Sequence, residues 1–141
     1  MKTVGPKDFY EVKRMCALSD MDWVYVNDLY LPLLGPIPFT VYRLLYEDET
    51  SISGNASVHE GLFRKSQISS GEFYGALECL EALGLVKTYF NAESGIHYFV
   101  YAIYQPKSPK AFFKDVLLLG TLKKYIGEDM VKKLYEKYKA P

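Results

Sequence analysis

The segment 69–104 constrains the fold of this chain more than any other part. Ser69-x-x-Glu72 has the spacing of a capping box, in which a serine and a glutamate satisfy free N–H groups at the start of a helix. An apolar stripe with helical spacing follows, and Gly84 stands where a helix can end in a left-handed conformation. This pattern predicts an amphipathic helix over residues 70–83.

Two segments of alternating apolar and polar residues come next and predict a β-hairpin. Its strands are expected at 85–90 and 96–104, with residues 91–95 as the loop. A shorter helix is predicted at 57–65. A short helix, a turn, a second helix and a hairpin together predict a winged helix, which is a helix-turn-helix with a two-stranded wing, in a mostly helical α+β fold.

The residues before this segment are predicted to be an arm and two helices. Residues 8–18 are typical of an extended arm or a short strand. A helix over 20–31 would begin at a second capping box, at Ser19, and end before Pro32, because the residue before a proline avoids helical angles. Another helix is predicted at 37–47.

The residues after the hairpin predict a helical tail in three pieces, at 109–114, 116–126 and 128–139. Pro109 suits the first turn of a helix, and Gly127 separates the last two pieces.

The chain is therefore expected to contain a winged-helix domain with an N-terminal arm over 1–106, and a helical extension over 107–141. The extension would pack on the winged-helix domain or on a partner subunit. Charge follows the same division: residues 1–106 carry eight basic and thirteen acidic side chains, and residues 107–141 carry nine lysines and four acidic side chains. A solvated lysine surface explains this asymmetry most simply, and a head-to-tail arrangement of subunits is the alternative.

No catalytic or cofactor motif is complete. His59-Glu60 lacks the second histidine of a zinc-protease helix, and neither a phosphate loop nor a metal cluster is recognisable. Cys16 and Cys79 are isolated, as expected for buried apolar groups in a reducing cytoplasm. We expect a cytoplasmic protein that is not an enzyme and binds no metal or cofactor.

The predicted reading helix argues against binding to duplex DNA. It contains Glu72, Glu78 and Glu81 and no basic residue, and carboxylates repel phosphates. The basic side chains nearby are weak candidates for DNA contact, and ordinary solvated charges explain them better; they are Arg64, Lys65 and Lys87.

Three motifs resemble the N-terminal region of the firmicute DnaB family of replication initiation and membrane attachment proteins. The first is LYLPLLGP at 29–36, followed by Val41-Tyr42. The second is LEALGLVKTY at 80–89. The third is QPxxPxxFFxD at 105–115, and all three occur in the order of the family.

The resemblance implies a non-enzymatic assembly and oligomerisation module of a protein that acts in replication initiation, in the primosome and in helicase loading. It implies self-association as a homodimer or tetramer. Partners would be a DnaD-type primosome protein and the helicase-loader ATPase with the replicative helicase. Single-stranded DNA would bind mainly to a C-terminal module absent from this sequence, and the full-length protein would associate peripherally with the membrane.

Candidates for an oligomer or partner interface lie in the helical tail. One ring of the Phe112-Phe113 pair is expected to anchor the tail to the winged core, and the other to face a partner. The last predicted helix has an apolar stripe that needs a surface to pack on, either the chain's own core or a second subunit; its candidates are Leu134, Tyr135 and Tyr138.

Two other functions are also compatible with the sequence. A winged-helix transcription regulator would bind a DNA palindrome as a dimer, and lysines in the reading helix would have favoured it. A replication accessory of a phage or mobile element would have the same fold.

Overall fold

The computed structural model describes residues 4–139, which form two compact units. The first unit contains residues 4–17 and Pro36–Tyr104, and the second contains Leu18–Gly35 and residues 105–139. The strands are β1 Phe9–Arg14, β2 Ser57–Val58, β3 Val86–Glu93 and β4 Ile96–Ile103. The helices are α1 Asp20–Tyr25, α2 Leu31–Leu34, α3 Pro36–Tyr46, α4 Thr50–Ser53, α5 Glu60–Ser66, α6 Ser70–Ala82, α7 Pro109–Lys114, α8 Val116–Ile126 and α9 Glu128–Lys139.

The first unit is a winged helix, as predicted. The capping box of Ser69 and Glu72 opens α6, and Gly84 follows the helix with a φ of 73°. Strands β3 and β4 form the wing. The wing is longer than predicted, because Ser94 and Gly95 both have positive φ and close a two-residue turn between Glu93 and its partner Ile96.

The N-terminal arm is a strand of the same sheet. Strand β1 pairs in parallel with β4, with Phe9 opposite Tyr98 and Arg14 opposite Ile103. On its other side β1 pairs with the two-residue strand β2, so the sheet order is β2-β1-β4-β3. Alternate residues of β1, Tyr10 and Val12, are buried in the core.

His59 lies between the sheet and the helix-turn-helix and is completely buried. Its Nδ1 lies 2.6 Å from the carbonyl oxygen of Asp8, and because a carbonyl can only accept, Nδ1 carries the hydrogen. Its Nε2 therefore accepts a hydrogen bond of 2.7 Å from the hydroxyl of Tyr101. Burial lowers the pKa of His59, so the neutral ring is the form that fits.

Several local predictions differ from the structure. The helix predicted at 57–65 begins only at Glu60, because Ser57 and Val58 pair with β1. Residues 48–56 are mostly polar and include Gly54 and Asn55, which predicts a loop, but they contain the short helix α4. Cys79 is exposed on α6 and Cys16 is half-buried, so the expectation that both are buried is wrong.

The helix predicted to stop before Pro32 continues past it. A π-helical turn over Val26–Tyr30 follows α1, with the N–H of Leu31 bonded to the carbonyl of Val26, and α2 then runs to Leu34. The wider turn accommodates a proline, which donates no N–H and whose ring clashes with a carbonyl in a regular helix. The helix ends instead at Gly35, with a φ of 75°.

The second unit joins this helical segment to the tail. The three tail helices have the predicted bounds, but Leu18–Gly35 groups with them and not with the winged helix, which differs from the expected division at 106. Asp28 accounts for part of this grouping, because its carboxylate accepts hydrogen bonds from Lys137, at 2.8 Å, and from the hydroxyl of Tyr138. Burial tends to raise the pKa of Asp28, but these hydrogen bonds outweigh it and the pKa is lowered.

We expect the free energy of unfolding to decrease in mild acid because of His59. Its pKa is lower in the folded chain than in the unfolded chain, so the unfolded state takes up a proton first as pH falls. The contribution of His59 to the free energy of unfolding should be complete above about pH 6.5. It should decrease as the pH falls toward the pKa of His59 in the folded chain, by at most about 1.4 kcal/mol per pH unit. Urea unfolding from about pH 7 down to about pH 5, above the range where carboxylates titrate, measures this slope.

The chain has two histidines, and His97, about one-third exposed, serves as the control. The slope should survive in His97→Gln and disappear in His59→Gln. If the slope vanishes in His97→Gln, the pH dependence comes from His97 and the prediction is wrong. This outcome can be read even if His59→Gln does not fold.

We expect Tyr138→Phe to loosen α9, because the variant removes a hydrogen bond to a charged acceptor. The loss should be about 1–2 kcal/mol, since Lys137 still contacts Asp28. Amide hydrogen exchange in α9 should then be roughly tenfold faster. Tyr135→Phe is the matched control, because no hydrogen bond of the Tyr135 hydroxyl is found within residues 4–139. Equal exchange rates in the two variants would refute a stabilising role for the Asp28 contact.

Candidate functional site

A polar hollow of the first unit is bordered by side chains that are hydrogen-bonded to one another. It has a volume of about 530 Å³ and is bordered by Tyr10 and Asp48. The carboxylate of Asp48 accepts hydrogen bonds from the Tyr10 hydroxyl at 2.6 Å and from the backbone N–H and hydroxyl of Thr50. Within residues 4–139, no group of three or more metal-binding side chains is arranged to hold a metal ion.

The outer surface of α6 is acidic. Glu72 and Glu78 are exposed, Glu81 is half-buried, and the helix has no basic residue. A helix with this surface would repel the phosphates of a DNA groove.

The three basic DNA-contact candidates lie on two elements, α5 and β3. Arg64 is exposed on α5, 3.8 Å from the carboxylate of Glu60, and Lys65 is its neighbour. Lys87 lies on β3, with its ammonium 5.3 Å from the centre of the Tyr89 ring. Arg64 and Lys65 are thus neighbours on α5, whereas Lys87 lies on the wing.

The two neighbouring phenylalanines of α7 have different environments. Phe112 is completely buried and packs edge-to-face on Tyr30, at 5.3 Å between ring centres. Phe113 is half-buried and packs edge-to-face on Tyr135, at 5.4 Å. Phe112 is therefore an anchor within the helical unit, whereas Phe113 remains partly accessible.

The apolar stripe of α9 packs mainly within its own unit. Val131 is buried, and Leu134 and Tyr138 are half-buried. The ring of Tyr138 also packs edge-to-face on Tyr25, at 5.6 Å. Of the α9 candidates, Tyr135 is the most accessible, with 47% of its surface exposed.

Sequence reasoning missed the most exposed apolar side chains of the helical unit, which lie on α8. Val116 and Leu117 are 83% and 82% exposed, and Tyr125 follows at 60%. The opposite side of α8 packs inside the unit, with Leu122 buried. A run of apolar residues such as VLLL does not show which of its members face outward, and the sequence carried no other signal.

No helix within residues 4–139 is long and apolar enough to cross a membrane.

Comparisons with known proteins agree with this fold. The DnaB N-terminal winged helix domain family matches residues 4–140. The replicative helicase loading and DNA remodeling protein DnaB of Staphylococcus aureus is 29% identical over 119 residues, which cover 80% of this chain and 25% of that protein. The crystal structure of primosome protein DnaB (residues 1–300) from Geobacillus stearothermophilus superposes with a TM-score of 0.92 at 26% identity, and covers 98% of this chain and 53% of that one.

The chain thus spans about a quarter of the length of the staphylococcal protein and about half of the solved Geobacillus chain. The family match and the fold confirm the resemblance seen in the three sequence motifs and the predicted winged helix. This chain belongs to the DnaB N-terminal winged helix domain family.

Proposed function

We propose that this chain is a non-enzymatic assembly module of a replication-initiation protein that takes part in helicase loading. The names of the two relatives support the process, and the outward face of α8 supports the role. That face exposes Val116 and Leu117 at its start and Tyr125 two turns further along, and exposed large apolar side chains on one surface are typical of a protein interface.

Two small residues on the same face support contact with another helix. Gly120 lies in the middle of α8, where glycine costs about 1 kcal/mol relative to alanine, and a Cβ added there would meet no atom within 4 Å. Packing within the unit therefore does not require a glycine. The Thr121 hydroxyl donates to the carbonyl of Leu117, at 2.8 Å, so this hydroxyl is already satisfied within the helix.

We infer that a second copy of the chain packs on this face, giving a dimer or, with another interface, a tetramer. Other partners by resemblance are a DnaD-type primosome protein and the helicase-loader ATPase with the replicative helicase. Single-stranded DNA and membrane contacts are assigned to the full-length protein. A winged-helix transcription regulator is disfavoured by the acidic α6 and by relatives that are both replication proteins.

We expect the chain to sediment as a species larger than a monomer at tens of micromolar, and Leu117→Glu to shift it to the monomer. The control is Ile52→Glu, because Ile52 is 77% exposed on α4 and receives the same substitution away from α8. Both changes are on the surface, so unfolding free energies should stay within about 0.5 kcal/mol of wild type.

Gly120→Gln is a second variant for the same question. It should stabilise α8 by a few tenths of a kcal/mol, because glutamine has a higher helix propensity than glycine. It should nevertheless weaken association, because the longer side chain blocks the close approach of a second helix. A wild-type chain that is monomeric, or an Ile52→Glu variant that dissociates as readily as Leu117→Glu, would contradict an interface on α8.

We expect the chain to bind duplex DNA no more tightly than about 10⁻⁴ M at physiological salt, because α6 is acidic and the chain has a formal net charge of zero. The double variant Arg64→Ala, Lys87→Ala should behave like wild type in a mobility-shift assay. A shift at submicromolar wild-type protein that the double variant abolishes would show that the winged helix reads DNA.

A further inference from the structure

A groove with an apolar floor runs between α7 and α9, and its volume is about 580 Å³. Its floor consists of Pro109, Phe113, Tyr135 and Tyr138. The Tyr138 hydroxyl is bonded to Asp28, which fixes one ring of the floor in place. A preformed floor lowers the ordering cost that a bound segment would otherwise meet.

Three lysines line the rim of this groove. Lys110 and Lys114 stand four residues apart on α7 and so project from one side of it, and Lys139 lies on α9. Lys139 is 3.0 Å from the carboxylate of Glu136. For Lys110 and Lys114, no carboxylate lies within 4 Å in the described part of the chain.

We propose that this lysine-rimmed groove binds an acidic segment of a protein partner. Apolar side chains of the segment would rest on the ring floor, and its carboxylates would pair with Lys110 and Lys114. Complementary charge around an apolar centre is the usual arrangement of a specific protein interface. The inference rests on the proposed assembly function and names the chemistry of one partner.

The rings favour a protein segment over single-stranded nucleic acid. Bases bind by stacking on free ring faces. Phe113 and Tyr135 pack at 90° to each other, and the ammonium of Lys137 lies 5.2 Å from the centre of the Tyr138 ring. The helical unit as a whole has nine lysines against seven acidic residues, which is a weak excess for a nucleic-acid surface.

The groove is separate from the α8 face assigned to self-association. Its walls are α7 and α9, and the outward residues of α8, Val116, Leu117 and Tyr125, do not line it. The two surfaces can therefore be tested independently.

Fluorescence anisotropy of the whole chain tests the proposal with defined probes. The first probe is a labelled amphipathic peptide with leucine every third or fourth position, glutamate beside it and alanine elsewhere. The second is the same peptide with glutamine for glutamate. The third is an oligothymidylate of about 15 nucleotides. The glutamate peptide should bind with a dissociation constant of tens of micromolar, and the other two at least about tenfold more weakly.

Lys110→Glu with Lys114→Glu should weaken binding of the glutamate peptide by about tenfold or more. The matched control is Lys87→Glu with Lys133→Glu, which changes the net charge by the same amount at two exposed lysines outside the groove. It should change binding by less than about threefold. Tyr135→Ser should also weaken binding, since it removes a half-exposed ring of the floor.

Absence of binding by the glutamate peptide would overturn the proposal, as would equal weakening by the two charge variants. The proposal is also overturned if oligothymidylate binds more tightly than the peptide and this binding is abolished by Lys110→Glu with Lys114→Glu. The groove would then be assigned to nucleic acid. Retained peptide binding in Leu117→Glu supports a groove independent of self-association. A chain that binds the peptide but never self-associates would refute the α8 interface alone.

Discussion

The winged-helix unit depends on one buried ring, that of His59. It stands immediately before α5, it donates to the backbone just before β1, and it accepts from a side chain of β4. The residue therefore connects the helix-turn-helix to the two central strands. Its surroundings are aromatic: the rings packed on it belong to Tyr10, Phe63, Phe73, Phe99 and Tyr101.

This arrangement explains why a histidine in a zinc-protease-like dipeptide carries no chemistry here. Both ring nitrogens are engaged, one with a carbonyl and one with a hydroxyl, so neither is available to a metal or a substrate. If Nε2 of His59 were protonated, its N–H would face the O–H of Tyr101, and two donors would meet unless the hydroxyl turned. The ring acts as a fixed connector in an apolar core, and such a group is satisfied only in one protonation state.

Features set by neighbouring residues could be predicted from the sequence. The capping boxes at Ser19 and Ser69, the left-handed turn at Gly84 and the tail helices delimited by Pro109 and Gly127 all depend on contacts within a few positions. The family resemblance rested on the same kind of short motif.

Features that depend on distant residues could not be predicted. The bond between Asp28 and Tyr138 spans 110 positions and places Leu18–Gly35 in the helical unit, and the helical pattern around either residue gives no sign of it. The π turn before Pro32 overrides a rule that holds for regular helices. For the candidate site, the prediction identified Phe113 and Tyr135, but the exposure of Leu117 and the position of Lys110 beside the ring floor depend on how the tail helices pack together.

The helical unit is made from two stretches of chain that lie on either side of most of the winged helix in sequence. During synthesis from the N-terminus, Leu18–Gly35 leaves the ribosome long before residues 105–139, which contain its packing partners. At typical translation rates of about 5–20 residues per second, the first stretch waits for several seconds, while residues 36–104 can already fold. The apolar face of α8 and the lysine groove therefore form only after residues 36–104 have been synthesised. A nascent chain cannot use either surface to associate before its winged helix has been made.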